Sequence, residues 1–406
     1  MESEGIDGFE QYISNISSDS VVNMTNQSTQ NCDLNDKCMP MDVYIDYMYT
    51  EVLYPDTGKW FLIIAYIISF VVGLIGNTLV CVVIWRNRGM RTVTNIFIVN
   101  LAIADIAVLI MCLPMTLLVD VTWTWFFGDV VCKVNQFTMT SSISVSVLTL
   151  TAISLERWYA ICHPLRFHST VRRARIIIIV IWIASACFAM PETIAARTEK
   201  EWPQEILFTR CYPVDLGDQG LMIWQFVLIA ALYCVPISLM GFTYSNIAFI
   251  LCTGRIPREP HTRAPMLNDR TGNDNDVQIE SRKKAAKMLF AIVVLFAVCF
   301  FPNHLLNVLR YAGVTEHAKG IENFALVAHL AIFLNSCLNP IIYNFMSDKF
   351  RKEFRTLIQH CFRCYTPDQR VRSTFPNGYR VTFSVGNNMN INMTHSTTAV
   401  SQVVPS

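Results

Sequence analysis

Seven stretches of this chain are each long and apolar enough to cross a lipid bilayer, and no other feature constrains its fold as tightly. A hydrocarbon core about 30 Å thick calls for about 20 apolar residues in a helix. The stretches are Trp60–Trp85, Asn95–Val119, Cys132–Ile161, Ile176–Ala196, Leu221–Cys252, Met288–Leu309 and Phe324–Phe345. The first, fifth, sixth and seventh contain no Asp, Glu, Lys or Arg, and the third is charged only at Lys133, Glu156 and Arg157. Lipid offers backbone N–H and C=O groups no partner, so each run must be a helix. One such run also suits a buried globular core; seven in series do not. The predicted fold class is therefore an all-α membrane protein, a seven-transmembrane helix bundle over residues 60–345. Composition agrees, with 52% hydrophobic and 16% charged residues, against about 25% charged in soluble domains. A net charge of +1 provides no global basic field, so nucleic acid is not an expected partner.

Charge is segregated along the chain. Residues 1–59 hold eleven acids against Lys37 and Lys59, a net of −9. With the N-terminus outside, 24 of the 32 Lys and Arg residues fall in inner segments. That excess orients the bundle, giving a multi-pass plasma-membrane protein with an extracellular N-terminus. No apolar run precedes Trp60, so the first span is expected to act as its own signal. Three sequons, at Asn15, Asn23 and Asn26, lie on the face read as external and point to a glycosylated acidic tail over 1–59. A fourth, at Asn392, lies on the inner side and reads as chance. Cys32 and Cys38 either close a small loop or remain thiols. Residues 253–282, rich in Pro, Asn, Asp and Arg, read as a flexible linker. Phe350, Phe354, Leu357 and Ile358 alternate with Lys349, Arg351, Lys352 and Arg355, which predicts a basic amphipathic membrane-surface helix over 346–364, lying on lipid of the inner leaflet. Cys361 and Cys364 at its end are candidates for palmitoylation, or are plain thiols. The polar tail at 365–406 is expected to be disordered.

Polar residues at membrane depth are costly and usually functional. Asn77, Asp105, Ser146, Asn335, Ser336 and Asn339 form one such set. A carboxylate with amide and hydroxyl oxygens suits a small hard cation such as sodium, with Asp105 as its charged ligand; a water-filled network that packs the helices is the alternative. Asp105 and Glu192 are the acids read as lying wholly within spans. Glu156-Arg157 at the end of span 3 is either an ion pair that holds the Arg back or an Arg snorkelling to the surface. Prolines at 114, 191, 236, 302 and 340 mark deformable points. Of the fourteen cysteines, most sit in apolar runs as small hydrophobes. Cys132 and Cys211 are the two at the outer surface of the bundle, in an oxidising compartment, and are expected to pair.

Taken in order, Gly76-Asn77, Leu101 with Asp105, Trp125-Phe126-Phe127-Gly128, Cys132, Glu156-Arg157-Trp158, Trp182, Pro236, Cys299 to Pro302 and Asn339 to Tyr343 carry a resemblance to rhodopsin-like (class A) G-protein-coupled receptors over about residues 60–361. Within that group, Met90 to Asn95, Cys132-Lys133-Val134, Arg157 to Pro164 and Ser169 to Arg175 resemble the orexin and allatotropin neuropeptide receptors, most of all an arthropod allatotropin receptor. Glu156 stands where orexin receptors have Asp, and Phe300 where most of the superfamily has Trp.

The resemblance implies an extracellular neuropeptide ligand, a heterotrimeric G-protein partner of the Gq class acting through calcium, and arrestin. It implies no enzymatic activity and no cofactor beyond an allosteric sodium ion. The group's peptide pocket is matched at Tyr233, Asn307 and His329. It departs at Met139 and Glu192, each Gln in orexin receptors, and at Tyr212, an Asp there. Asn307 and His329 either meet the ligand or bond neighbouring helices; Glu192 either meets a basic peptide residue or is a solvated rim acid. Glu156, Arg157, Phe300, Pro302 and Tyr343 match the family's switch and coupling positions. Arg282 stands where many members carry an acid that clasps the span 3 Arg. Other classes fit less well. A retinal protein needs a lysine in span 7, an amine receptor an acid within residues 134–155 of span 3, and a transporter or channel internal repeats or a charged path; none of these is present in the sequence.

Overall fold

The computed structural model describes residues 57–163, 170–200, 209–253, 271–311, 321–365, 370–374, 379–384 and 390–395, with side chains at 57–58, 271–282, 311, 321–322 and from 360 onward left undescribed. Asn15, Asn23, Asn26, Cys32 and Cys38 lie outside the described residues, as do the side chains of Arg282, Cys361, Cys364 and Asn392. Among the described residues seven helices are long and apolar enough to cross a membrane. Span 1 is Thr57–Arg86 and span 3 is Gly128–Cys162. Span 4 is Val171–Ala195, span 6 Thr271–Tyr311 and span 7 Ile321–Met346. Spans 2 and 5 are interrupted. Span 2 runs Val93–Met111 and then Leu113–Thr122, broken at Cys112 just before Pro114. Span 5 runs Gly217–Ile229, a π-helical segment Ala230–Cys234, and Val235–Thr253. In both cases a proline removes one helical hydrogen bond and the backbone adjusts on its N-terminal side.

The helix boundaries follow from local chemistry. Thr92 and Thr170 cap spans 2 and 4, their hydroxyls accepting from Asn95 N and Arg173 N, which satisfies first-turn donors that have no helical partner. Asn95 Nδ2 also donates to the Met90 carbonyl at 2.6 Å, so the Met90 to Asn95 motif is a self-closing turn between spans 1 and 2. Span 2 ends with Trp123 in the left-handed region at φ 54°. Span 3 begins at Gly128, φ 73°, a conformation that costs glycine nothing. Trp125 is buried and donates from Nε1 to the Gly128 carbonyl at 2.9 Å.

Packing is closest where small residues permit it. A Cβ on Gly76 would stand 2.8 Å from Pro340 Cβ, so only glycine lets span 1 approach the proline of span 7. Tyr66, Leu109, Cys112 and Phe333 pack spans 1, 2 and 7 together, and Ala104, Val145 and Ile181 join spans 2, 3 and 4. The outward face is apolar, with Ile64, Ile179 and Phe249 more than half exposed. Continuous apolar surface of this kind suits lipid rather than water.

Two expectations are revised. The linker read over 253–282 is shorter, because the span 6 helix begins at Thr271. After Gly272 this segment contains no Pro or Gly to break a helix, and its polar residues are ones that a hydropathy criterion passes over. The tail read as structureless contains three strands, β3 (Arg370–Thr374), β4 (Tyr379–Ser384) and β5 (Asn390–His395), paired antiparallel as a meander. Its register sets Val371 opposite Phe383 and Phe383 opposite Ile391, a period-two pattern hidden inside a polar composition.

The helix after span 7 is Asp348–Tyr365, close to the 346–364 expected. Phe350 and Phe354, one turn apart, are buried with ring centroids 5.8 Å apart, while Lys349, Lys352 and Arg355 are exposed.

Candidate ligand cavity and switch regions

At the end of the bundle bearing Cys132 and Cys211, the two cysteines form a disulfide. Strands β1 (Arg197–Glu199) and β2 (Arg210–Tyr212) pair as a hairpin there, with Thr198 opposite Cys211. The disulfide ties this hairpin to the start of span 3. Asp129 accepts from Thr198 N at 2.9 Å, Trp125 N donates to the Thr209 carbonyl at 2.8 Å, and Arg197 pairs with Asp215 at 2.8 Å. The Tyr212 hydroxyl donates to the Glu199 carboxylate, a bond that raises the phenol above its usual range.

Beneath the hairpin lies a cavity of about 550 Å³, within the range of ligand-binding clefts. Two polar clasps cross its wall. In one, Thr140 of span 3 donates to Glu192 Oε2 at 2.6 Å and Gln225 of span 5 to Glu192 Oε1 at 2.7 Å. Asn307 of span 6 donates in turn to Gln225 Oε1 at 3.3 Å, so the chain runs through spans 3 to 6. In the other, Tyr66 of span 1 donates to Asp120 Oδ2 at 2.6 Å, and His329 Nδ1 of span 7 lies 2.9 Å from Asp120 Oδ1. Met139, Glu192, Asn307, His329 and Tyr212 all line the cavity.

Tyr233 does not. It sits in the π-helical segment and turns to span 6, where its hydroxyl donates to the Ala297 carbonyl at 2.9 Å and its ring lies 4.6 Å from that of His304. Glu192 is 5% exposed rather than a rim acid. Asp105 and Glu192 are joined by a third intramembrane acid, Asp120, which lies inside the second half of span 2 and is buried. The sequence reading ended that span three residues early, at Val119. Asp120 follows Leu113 and Thr116 at helical spacing, which is the signal that could have retained it. Thr140, Gln225 and Tyr66 carry no comparable signal, since their roles arise only from the residues they meet.

At mid-bundle, Asn339 Nδ2 donates to Asp105 Oδ2 at 3.0 Å, and Asn77 Nδ2 to the Gly73 and Ser336 carbonyls at 2.9 Å each. Ser146 is buried on span 3. The Oδ1 atoms of Asn77, Asp105, Asn335 and Asn339 are buried without a hydrogen-bond partner. Unpaired oxygens of this type are the donor set of a hard cation, so these residues fit sodium. No group of three or more His, Cys, Asp or Glu side chains that could hold another metal occurs among the described residues.

At the opposite end, Arg157 Nε donates to Glu156 Oε2 at 2.8 Å. Thr94 of span 2 also donates to Glu156 Oε2, at 3.0 Å, and accepts from the Arg157 guanidinium. Arg157 is thus held rather than extended to the surface. Trp182 donates to Asn100, and Asn100 to Thr149, tying spans 2, 3 and 4 at 2.9 and 2.8 Å. Phe300 is buried, 4.8 Å from Phe296 by ring centroids and two residues before Pro302, and Tyr343 is buried in span 7.

The comparisons with known proteins agree with this architecture. Residues 76–343 match the model of the "7 transmembrane receptor (rhodopsin family)". The chain is also 32% identical over 333 residues to a QRFP-like peptide receptor of Branchiostoma floridae, covering 80% of this chain and 84% of that one. The Cys132–Cys211 bridge, the interrupted seven-helix bundle and the match across two thirds of its length place the chain in the rhodopsin family of seven-transmembrane receptors.

Proposed function

We propose that this receptor binds a peptide at its extracellular face and, on binding it, drives nucleotide exchange on a heterotrimeric G protein of the Gq class. Residues 1–59 and the disulfide end face outward; Arg157 and the C-terminus face the cytoplasm. The distribution of Lys and Arg supports that orientation. The observation that carries the ligand reading is Glu192. It is buried in the cavity wall and accepts from two neutral donors, Thr140 and Gln225. A buried carboxylate without a cation is costly, and a basic side chain of an incoming peptide supplies one. Asn307 and His329 line the same cavity, each able to donate and accept, which suits a peptide backbone.

For peptide identity, the residues around Cys132, Arg157 and Ser169 favour the allatotropin and orexin type. The similarity to a receptor named for a QRFP-like peptide favours a second reading, in which the peptide belongs to that type. Both are tested by calcium release in cells expressing the full chain, using synthetic peptides of the three types. A response to allatotropin- or orexin-type peptides alone selects the first reading, and a response to QRFP-type peptides alone the second. Silence from all, at normal surface expression, overturns both. Arrestin recruitment is read in the same cells, and palmitate incorporation tests Cys361 and Cys364.

Sodium is proposed for the resting receptor, held by Asp105 with Asn335 and Asn339. A bound sodium would neutralise Asp105 and favour the resting population. Equal agonist affinity in sodium and in a large inert cation, at matched ionic strength, would remove that role.

A further inference from the structure

The meander that follows the membrane-surface helix has two unlike faces. Strands β3, β4 and β5 pair antiparallel in sequence order, and alternate residues of a strand share a face. By register, one face holds Val371, Val381, Phe383, Ile391 and Met393. The opposite face holds Arg370, Arg372 and Thr374 of β3 with Arg380, Thr382 and Ser384 of β4. Its cross-strand pairs are Arg370 with Ser384, Arg372 with Thr382, and Thr374 with Arg380. Each pair sets one arginine against one hydroxyl residue. Thr394 of β5 stands opposite Arg380 on the other side. No Asp or Glu follows Asp368 in the sequence, so the three strands offer these arginines no carboxylate. Ser373 differs from its neighbour Thr374 in register alone, since it stands opposite Val381 on the first face.

We infer that the arginine face of this meander is an intramolecular phosphate clamp, in which a phosphoryl group on Thr382 is bound across the strand pair by Arg372 and locks the β3–β4 hairpin. Thr374 with Arg380, and Ser384 with Arg370, repeat the arrangement. Directly opposed residues have Cβ atoms about 4.5–5.5 Å apart. A phosphoryl group at that distance adds a charge of about −1.5 to −2 and three acceptor oxygens, and a guanidinium matches phosphate in bidentate geometry. Arg380 precedes Thr382 by two residues and Arg372 precedes Thr374 by two, a context suited to a kinase that reads basic residues. Such a kinase transfers the γ-phosphoryl of ATP. The bond from the hydroxyl oxygen to phosphorus forms, the bond from that phosphorus to the β–γ bridging oxygen breaks, ADP leaves, and the hydroxyl proton passes to solvent. A phosphate held by the chain's own arginines is withheld from any basic partner protein. Access of a cytoplasmic kinase rests on the proposed orientation; binding of an installed phosphate does not.

The experiment uses the full-length receptor in phosphatidylcholine nanodiscs, with phosphoserine installed in place of Thr382 or, separately, in place of Ser373. Amide hydrogen exchange over residues 370–384 is read by mass spectrometry. Phosphate at position 382 is expected to slow exchange roughly tenfold, and Arg372→Gln should return it to the rate of the unmodified receptor. Phosphate at position 373, on the other face, should leave exchange unchanged or faster. No slowing from position 382, equal slowing from both positions, or slowing that survives Arg372→Gln would overturn the clamp. In a second arm the unmodified receptor is treated with ATP and a basophilic protein kinase. Phosphate at Thr374, Thr382 or Ser384 is expected, and its absence from all three would overturn phosphoryl transfer as the route to the locked form.

Discussion

Glu192 and Glu156 sit near opposite ends of the bundle and are buried to nearly the same degree, 5% and 8% exposed. Burial therefore does not distinguish them; their partners do. Glu156 is paired with the adjacent Arg157 at 2.8 Å and receives a second bond from Thr94. Glu192 receives bonds from Thr140 and Gln225, both neutral. One carboxylate has its cation in sequence and restrains it, while the other lacks one and faces a cavity. The first arrangement is poised to release a charge and the second to accept one. A receptor needs both, at opposite ends.

The sharpest way to break this comparison is to reverse the charge at Glu192. Glu192→Lys places a cation against Gln225 and Thr140 and removes the site for a basic peptide residue. Loss of one partner of a buried ion pair costs about 3–5 kcal/mol, so potency toward a basic peptide should fall by more than a hundredfold. A peptide with its cation replaced by an acid should regain much of it. The readout is a calcium dose–response at matched surface expression, and an unchanged response would remove Glu192 from recognition. Next in size is the bridge. Cys132→Ala or Cys211→Ala releases the hairpin from span 3 and forfeits about 2–4 kcal/mol of restraint on the unfolded chain. Each variant should lose surface expression to a similar degree, whereas the Arg157 end should be unaffected. Unequal losses in the two variants would argue against a shared bond.

A smaller effect is expected at the other acid. Glu156→Gln keeps the shape and the Thr94 contact but removes the charge opposing Arg157. Arg157 is partly exposed, its side chain at 26%, so solvent screens the pair. A loss of about 1 kcal/mol is expected, which shifts a two-state balance roughly fivefold. Ligand-independent inositol phosphate accumulation should rise by about that factor while peptide affinity changes little. Lower basal signalling would instead make Glu156 a coupling residue and not a restraint.

How much of this was legible beforehand differs between the two ends. Seven spans could be read directly, because lipid forces every apolar run of sufficient length into a helix. The Glu156–Arg157 pair was legible too, since its members are adjacent, although the choice between a pair and a snorkelling Arg was not. Around Glu192 the sequence names the acid but neither partner. Thr140 and Gln225 become its partners only through the relative rotation of spans 3, 4 and 5, which no local pattern encodes. Asp120 was lost for another reason. Hydropathy ends a span at the last apolar residue, and a buried acid held by Tyr66 and His329 looks the same in sequence as a solvated one. The start of span 6 at Thr271 was missed by the same criterion, because residues 271–282 are mostly polar and hydropathy stops short of them.

Between the two ends lies the residue expected to have the smallest effect. Tyr233 is a pocket residue by sequence resemblance alone, yet it bonds the Ala297 carbonyl of span 6 from the π-helical segment of span 5. Pro302 has no N–H, so it leaves the carbonyl four residues earlier, Val298, without its helical donor. Tyr233 therefore attaches span 5 to span 6 beside the weakest point of the span 6 ladder. Its ring also lies against Phe296 and His304, at 6.2 and 4.6 Å, and these contacts survive removal of the hydroxyl. Tyr233→Phe thus deletes one hydrogen bond and little else, about 0.5–1.5 kcal/mol. If Tyr233 were a ligand contact, the loss would appear as weaker peptide binding with unchanged basal signalling. If it is a tie between spans, receptor melting should fall slightly and basal signalling should shift by a few-fold, with peptide affinity moving only as that equilibrium moves. The two outcomes are separated by measuring radioligand affinity and basal inositol phosphate in the same cells. A drop in affinity alone would return Tyr233 to the cavity and weaken the picture of two ends joined through span 6.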